Sequence, residues 1–554
     1  MSRQGRPSRN TVLRSSVTAV LAAVGATAVM AQAAVCPEQP NPPVPPMDPK
    51  LRQTVVITDP DVIRRGNFSL SHTLDAIIQS SPGRPAAAPT QAERIALLSS
   101  LLKTFDLTAM TNPDSGLSTP VDQRAGERDL SPAKLLDPTD NTDGMHPVGL
   151  FNRLDLAPDN FSYCGEHRIV YAKGKPVSQT NRFFLIFEAG LKNPVEDADL
   201  GKRKASCARV AQFWDGLKDK TGADLSSALE QFYYGGLDAD KDGGTDFRPV
   251  VHMEHYGSPF GQVRGNLFVN NPPSPPFIWQ LREWRTIPTA SGVDFTPVTV
   301  KTNPIPDLYG PKQGSDPLGA LKDAFQAAFV DSNEENAKAL PTLQEQLLDF
   351  DQKLADGTTK APRTALSASL GMRVNKRFDA FQSNSSSKDD PALIAAGGNL
   401  PARIAAKLTG GAAAACKVTE THILNRAGAM SCGGCHQFSA GKEIAPGVVW
   451  PAPRVRFVQI DETGGLSPAL ENEFLPERRR LLEAALVPPP VPDRPVEPVP
   501  AYVAVRGALR ALGNRAATRL DVLNALTTLE THVEEARRDN EVRPGAFVTM
   551  RRAH

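Results

Sequence analysis

The residues with the clearest chemical potential lie together late in the chain: Cys432, Cys435 and His436, in the order Cys-x-x-Cys-His. Two cysteines at this spacing can each form a thioether to one vinyl group of a haem, and the histidine that follows can bind the iron. With 6 cysteines and 9 histidines in 554 residues, this order rarely arises by chance. We predict covalent haem c, with Cys432 and Cys435 as attachment residues and His436 as the proximal iron ligand.

The segment resembles the attachment segment of monohaem c-type cytochrome domains, through these three residues alone. In that family a methionine several tens of residues after the motif usually provides the sixth iron ligand, whereas the only later methionine here is Met550. The resemblance leaves open a distal histidine, an upstream methionine or a five-coordinate iron. The residues to consider are His422, His252, His255 and Met372. Two axial ligands favour electron transfer, whereas an open iron permits small-molecule binding or peroxide chemistry.

A wider set of segments resembles a family of large exported bacterial proteins of unknown function that carry a terminal haem-type motif. The resemblance rests on VITDPDVI, PVGLFNRLDLAPDNFSYCGEHRIVYA, FFLIFEAGL, GQVRGNLFV followed by WQLREW, and LNRAGAMSCGGCH. It spans most of residues 54–485. It implies export and the extent of the domains, but no activity.

The same cysteines are compatible with two other kinds of site. Cys432 and Cys435 can form a disulfide, because thiols outside the cytosol oxidise unless another group binds them. Alternatively, Cys416, Cys432 and Cys435 can bind a tetrahedral zinc ion. His422 is then the better fourth ligand, since the adjacent Cys435 and His436 would hardly reach the same ion.

An acidic segment, DADKDGGTD, offers a possible cation site. Asp238, Asp240 and Asp242 occupy alternate positions, Gly243 is at the sixth position, as at the beginning of a calcium loop, and Asp246 follows in the same segment. The twelfth position is Pro249 rather than the glutamate that completes such a loop. A turn with solvated carboxylates is therefore the alternative to a calcium site.

Charged residues also stand beside apolar, strand-like runs. FNRLDL contains Arg153 and Asp155, and CGEHRIVYA contains Glu166, His167 and Arg168. Such residues usually form ion pairs at strand ends. The alternative is that Arg153 and Arg168 bind an anionic ligand or the propionates of a haem. No Ser-His-Asp order, glycine-rich phosphate loop or nucleophile elbow is present, which disfavours hydrolase and nucleotide chemistry.

The beginning of the chain predicts export. Residues 1–33 combine arginines, a short alanine-rich apolar run and Ala-Gln-Ala, the pattern of a secretory signal peptide, with an uncleaved anchor as the alternative. We expect a periplasmic or extracellular protein. No later segment offers about 18 consecutive apolar residues, so we expect no stable membrane span. In an oxidising compartment, Cys164 and Cys207 are the expected disulfide pair.

The balance of charges bears on the partners. Lys plus Arg (62) nearly equals Asp plus Glu (61), so the chain has no general attraction for nucleic acid. For a haem protein, the expected partner is a redox protein or a small-molecule redox substrate, in electron transfer or haem-based redox chemistry. The alternative function is a non-enzymatic exported binding or structural protein with disulfides or a structural zinc.

The apolar patterns of the segments that must position these residues predict an α+β fold. Alternating apolar runs within residues 50–350 predict a mixed or antiparallel sheet with helices around it. Residues 351–486 are expected to be mainly helical and to carry the Cys-x-x-Cys-His motif. Proline-rich segments at 34–49 and 487–500 predict a spacer and a linker, and 501–554 predict a helical tail.

Overall fold

The structure is a computed structural model of the chain. It describes residues 46–121, 125–158, 160–174, 182–196, 199–240, 242–267, 280–290, 292–300, 303–330, 376–384, 390–409, 414, 417–450 and 458–486. The predicted signal peptide, most of the proline-rich spacer, the linker at 487–500 and the helical tail lie outside these residues. So do Cys36, Met372, Cys416 and Met550.

A seven-stranded antiparallel sheet organises the first part of the chain, in the strand order β1-β4-β5-β6-β7-β8-β9. Its strands are β1 (Val56–Ile57), β4 (Met145–Arg153), β5 (Tyr163–Lys173), β6 (Phe183–Lys192), β7 (Gln262–Leu267), β8 (Gln280–Thr289) and β9 (Gly292–Val298). Two short hairpins pair β2 (Ala109–Thr111) with β3 (Ser118–Pro120), and β10 (Glu443–Ala445) with β11 (Val448–Val449). The prediction of an α+β fold is confirmed, and the sheet is antiparallel rather than mixed.

Helices surround the sheet and fill the later part of the chain. They are α1 (Pro49–Arg52), α2 (Pro60–Arg65), α3 (Leu70–Gln79), α4 (Gln91–Leu102), α5 (Ala125–Arg128), α6 (Pro132–Leu135), α7 (Leu200–Gly216), α8 (Gly222–Glu230), α9 (Gly319–Val330), α10 (Pro391–Ala395), α11 (Leu400–Lys407), α12 (Glu420–Met430) and α13 (Leu475–Leu486). Among the described residues, no helix has both the length and the apolar character needed to cross a lipid bilayer.

Local sequence explains where several helices begin. Asp59 follows β1 directly, and its side chain accepts hydrogen bonds from the backbone N–H groups of Asp61 and Val62. This N-cap, with Pro60 at the first helical position, ends the strand and begins α2. Thr90 and Glu93 form a reciprocal capping box at the beginning of α4.

Residues on one face of the sheet pack against α3, α4 and α7. Tyr171 of β5 bonds to Thr73 of α3 through a 2.7 Å contact between the two hydroxyl oxygens. The indole N–H of Trp284 donates to the Thr104 hydroxyl, just after α4. Helix α7 is attached by the Cys164–Cys207 disulfide, with the two Cα atoms 5.1 Å apart, so this predicted pair is confirmed.

The helices of the later part build a second, smaller core beside the sheet core. Its buried residues come from the turn Pro306–Tyr309 and from α9, α10, α11 and α12. Helix α12 contributes Ile423 and Leu424 to this core, whereas Ala429, Cys432 and Cys435 belong to the sheet core. The Cys-x-x-Cys-His segment therefore begins where the two cores meet.

Candidate cofactor site

The Cys-x-x-Cys-His segment leaves α12 through a tightly bonded turn. The Ser431 hydroxyl donates to the carbonyl oxygen of Gly428 at 2.7 Å and accepts from the N–H of Gly434 at 3.0 Å. Residues Gly434–Phe438 then form one wide helical turn, closed by a bond from the Ser439 N–H to the Gly434 carbonyl. Cys432, Cys435 and His436 are all buried.

Two contacts explain the path of this turn. A β-carbon at Gly434 would lie 1.8 Å from the carbonyl oxygen of Gly428, so only glycine fits at this position. Asn303, itself fully buried, accepts a 2.8 Å hydrogen bond from the N–H of Cys432 and donates to the Ser383 hydroxyl at 2.9 Å. Asn303 thereby fixes the first cysteine to the segment that follows the sheet.

His436 lies on the wall of a cavity of about 700 Å³. This volume includes space that is open to solvent. Most of the wall is apolar and comes from four strands of the sheet and from residues 460–474. These apolar residues are Phe151, Val170, Phe184, Ile186, Leu281, Ile460, Leu470 and Phe474.

The sheet wall of the cavity also carries charged residues, in register across neighbouring strands. Arg168 of β5 stands opposite Glu188 of β6, and Arg264 of β7 stands opposite Glu283 of β8. Side chains alternate between the two faces of a strand, so residues two apart share the cavity face. A bulge at Gly165, where φ is 78°, sets this alternation for the beginning of β5.

The charged residues of the sheet wall form a buried network. The guanidinium of Arg264 contacts Glu283 at 2.9 Å and Glu188 at 3.3 Å, and Arg168 contacts Glu188 at 3.1 Å. The Gln262 amide donates to Glu188 and also to Glu166. Burial raises the pKa of Glu188, although the charges of Arg168 and Arg264 oppose this shift. Glu188 is thus the carboxyl of the cavity wall that most readily holds a proton.

A second group of charges closes the cavity beside the end of β4. Arg153 donates to both carboxylate oxygens of Asp155, at 2.9–3.1 Å, and the pair is buried. Burial by itself raises the pKa of Asp155, but the charges of Arg153 and Arg478 hold it below its usual value. Arg478 comes from α13 and lines the same cavity. Four arginines, Arg153, Arg168, Arg264 and Arg478, therefore face one apolar chamber.

Both cysteines of the motif lie close to this chamber, and neither forms a disulfide. Gln459, another lining residue, points its amide at the Cys435 sulfur, with 3.8 Å between the nitrogen and the sulfur. Cys432 acts electrostatically on Arg264, and Cys435 acts on Arg478. His436 thus lines the cavity, whereas Cys432 and Cys435 are not among its lining residues and act on arginines that are.

The three histidines considered as distal ligands do not line this cavity. His422 caps α12: its Nδ1 accepts from the Thr419 N–H at 3.0 Å, and its Nε2 lies 3.8 Å from Glu443. His255 is buried, with its Nδ1 bonded to the Val250 carbonyl at 3.0 Å, and His252 accepts from the Glu254 N–H. Met372 lies outside the described residues.

The acidic segment folds as a loop that brings three of its four aspartates together. Asp238, Asp240 and Asp246 each place an oxygen within 4.8 Å of the others. Asp242 is not in this group, and its carboxylate accepts from the Gly244 N–H at 2.7 Å. The calcium site based on Asp238, Asp240 and Asp242 stays a prediction. Among the described residues this is the one cluster of such ligands.

Sequence reasoning identified Arg153, Arg168 and His436 but missed Glu188, Arg264 and Arg478. For Arg478 a signal was available. In FLPERRRLLEAAL, Leu475, Leu481 and Leu482 stand three or four residues from Arg478, which places this arginine on the apolar face of a helix. Charged residues at such positions are rarely left on the surface.

Comparisons with known proteins add no relative. No protein-family model matches the chain, and no similar protein is found among curated proteins or among solved structures.

Proposed function

We propose that this chain is an exported c-type haem protein, in which Cys432 and Cys435 bind the porphyrin, His436 binds the iron, and the cavity described above encloses the haem. The observation that carries this proposal is the position of His436 on the wall of a cavity of about 700 Å³. His436 belongs to the motif that predicts covalent haem, and it also lines this cavity.

The lining of the cavity supports a haem in two ways. Its apolar side chains suit the porphyrin ring, which is flat and largely hydrophobic, and they come from both the sheet and the segment before α13. Its four arginines suit the two propionates, because guanidinium groups bind carboxylates through paired, charge-assisted hydrogen bonds. An ordinary apolar core would contain no such group of cations.

When bound, the haem would supply a redox-active iron. This chain's residues would then hold His436 in place through the turn Gly434–Phe438, keep bulk water from the porphyrin face and balance its negative charges.

Spectroscopy on the exported, full-length protein tests this proposal. We expect a sharp absorption band of the reduced haem, and a haem stain that survives denaturing gel electrophoresis. Cys432→Ala with Cys435→Ala should abolish the stain. Cys164→Ala with Cys207→Ala is the matched control, because it removes the same number of sulfurs from a disulfide distant in sequence and should leave the stain intact.

Two other results would overturn the proposal. A colourless protein with the mass of the bare processed chain would exclude covalent haem. A colourless protein that contains one equivalent of zinc would favour the alternative, an exported binding or structural protein with a zinc clip built on the same cysteines.

A further inference from the structure

Arg478 differs from its neighbours on α13. Its side chain is buried and lines the cavity, and in the described part of the chain it has no hydrogen bond or ion pair. Its guanidinium lies 6.0 Å from the centre of the Phe474 ring, at the outer limit for a cation over an aromatic face. By contrast, Arg479 bonds to Asp215 at 2.8 Å and Arg480 bonds to Glu477 at 2.7 Å. One of three consecutive arginines therefore enters the chamber without a counter-charge of its own.

The surroundings of Arg478 make burial of its positive charge unfavourable. Burial lowers its pKa well below the usual value, and the charges of Arg153 and Arg168 lower it further. Asp155 attracts Arg478, but its two carboxylate oxygens already accept three hydrogen bonds from Arg153. A buried charge is stable only when a partner compensates for the lost hydration. An anion that enters the cavity would compensate for this charge.

We propose that Arg478 is the counter-charge for a carboxylate of the cavity ligand, a haem propionate, and that binding of this ligand stabilises the docked position of helix α13. The inference rests on the proposed function. It assigns a binding role to Arg478 and makes the stability of the last described helix depend on haem loading.

The coupling between haem binding and α13 follows from the contacts that α13 makes on docking in the haem-free chain and in the haem-loaded chain. Leu481 and Leu482 are buried in the sheet core, and Arg479 bonds to Asp215 of α7 and to the Thr54 hydroxyl, so these contacts favour docking with or without a ligand. In the haem-free chain, docking also buries the Arg478 charge beside Arg153 and Arg168, and this opposes the other contacts. In the loaded chain the same charge meets a carboxylate. By linkage, haem then stabilises the helix, and the docked helix retains the haem.

Hydrogen exchange over residues 475–486 tests the coupling, because it measures opening of the helix and not activity. The full chain is prepared with haem, and as a haem-free reference carrying Cys432→Ala, Cys435→Ala and His436→Ala. Arg478→Met keeps the length and apolar stem of the side chain but removes its charge. We expect this change to slow exchange at α13 by about tenfold or more in the haem-free chain and to speed it by about tenfold or more in the loaded chain.

The controls separate a charge effect from a packing effect. Arg480→Met, on the same helix but half-exposed, should change exchange only slightly and by the same factor in both states. Arg478→Lys retains a positive charge and should behave more like the parent chain than Arg478→Met does. The opposite sign of the Arg478→Met effect in the two states is the result that packing alone cannot produce.

The outcomes distinguish this inference from the proposed function. If the parent protein carries haem and Arg478→Met changes exchange in the same direction in both states, the coupling is wrong and the haem assignment stands. If the parent protein carries no haem, both are wrong. If Arg478→Met does not fold in either form, Arg478→Lys and the parent still report the difference between loaded and haem-free chains, and equal exchange at α13 in those two forms overturns the coupling.

Discussion

On the helix-covered face of the sheet, β5 and β6 present Tyr171, Leu185 and Phe187, packed among other rings and aliphatic chains. One residue away on the same strands, the cavity face presents Arg168 and Glu188 in a network of buried charges. The two sets share the same backbone and the same degree of burial, yet different forces hold them. A single strand with a period of two residues can therefore support a tightly packed core on one side and a chemical site on the other.

The first face is stabilised by removal of apolar surface from water and by close packing, and it needs no ligand. The second face contains cations and carboxylates that must compensate for one another, and its apolar residues border an open chamber. A substitution on the first face should therefore alter stability according to the side-chain volume that it removes. A substitution on the second face should alter stability according to the charge pairs that it breaks and to the ligand in the chamber. The following predictions test this contrast.

The largest effect is expected from removal of a buried cation on the cavity face. Arg264→Leu leaves Glu188 and Glu283 buried without their shared guanidinium, so the free energy of unfolding should fall by about 3–5 kcal/mol. Urea denaturation of the full-length protein measures this loss. Arg264→Leu combined with Glu283→Leu removes two opposite charges and should recover part of the stability. A loss below about 1 kcal/mol for the single variant would show that the network is not needed.

Neighbouring residues on opposite faces of β6 give a matched pair. Leu185→Ala creates a closed void among packed side chains and should lower the free energy of unfolding by about 2–5 kcal/mol. Ile186→Ala only enlarges a chamber that already exists, so it should lose about 1–2 kcal/mol from the reduced burial of apolar surface. Both values come from the same urea titrations. Equal losses would contradict the distinction between a packed face and a cavity face.

Acid should act on the two faces in opposite directions. Burial lowers the pKa of His167 to about 3 and that of His255 to about 4, so below about pH 6.5 the unfolded chain binds protons that the folded chain does not. Stability should therefore fall with decreasing pH, with a slope that approaches about 1.4 kcal/mol per pH unit for each histidine. Glu188 has a raised pKa and binds its proton first in the folded state, so it opposes this fall.

Urea midpoints measured between pH 7.5 and 4.5 separate the two contributions. His167→Phe should make the decline shallower, because the ring that cannot be protonated stays stacked on Trp214. Glu188→Gln should make the decline steeper, because the opposing carboxyl is lost. If both variants keep the parent slope, these groups do not carry the pH dependence.

Much of the fold was predictable because local patterns dictate it. The apolar runs before residue 195 became β4, β5 and β6, and the alanine-rich stretches became α11 and α12, since period-two and helical patterns do not depend on distant residues. Strand β9 was missed, and helix α13 was expected only as part of a mainly helical region, 351–486. Val293 and Phe295 of β9 are flanked by polar residues and a proline, so burial by the rest of the fold overrides a weak local signal.

The candidate site likewise contains some residues that the sequence predicted and others that it did not. Its reactive residues were predicted because two cysteines and a histidine at fixed spacing constrain one another within five positions. The acidic segment offered four aspartates, and only the folded loop decides that Asp238, Asp240 and Asp246 lie close together. Glu188 and Arg264 gave no signal, since each is an ordinary residue of a strand until its neighbours in the sheet are known.

The sequence by itself determined the identity and spacing of Cys432, Cys435 and His436 and the alternation that makes the strands. Only the tertiary structure decided that four arginines, from β4, β5, β7 and α13, face the chamber that His436 borders. The physical reason is the range of the interactions. Spacing along the chain fixes the geometry of one turn or one strand, whereas a buried charge finds its partners only after distant segments have packed together.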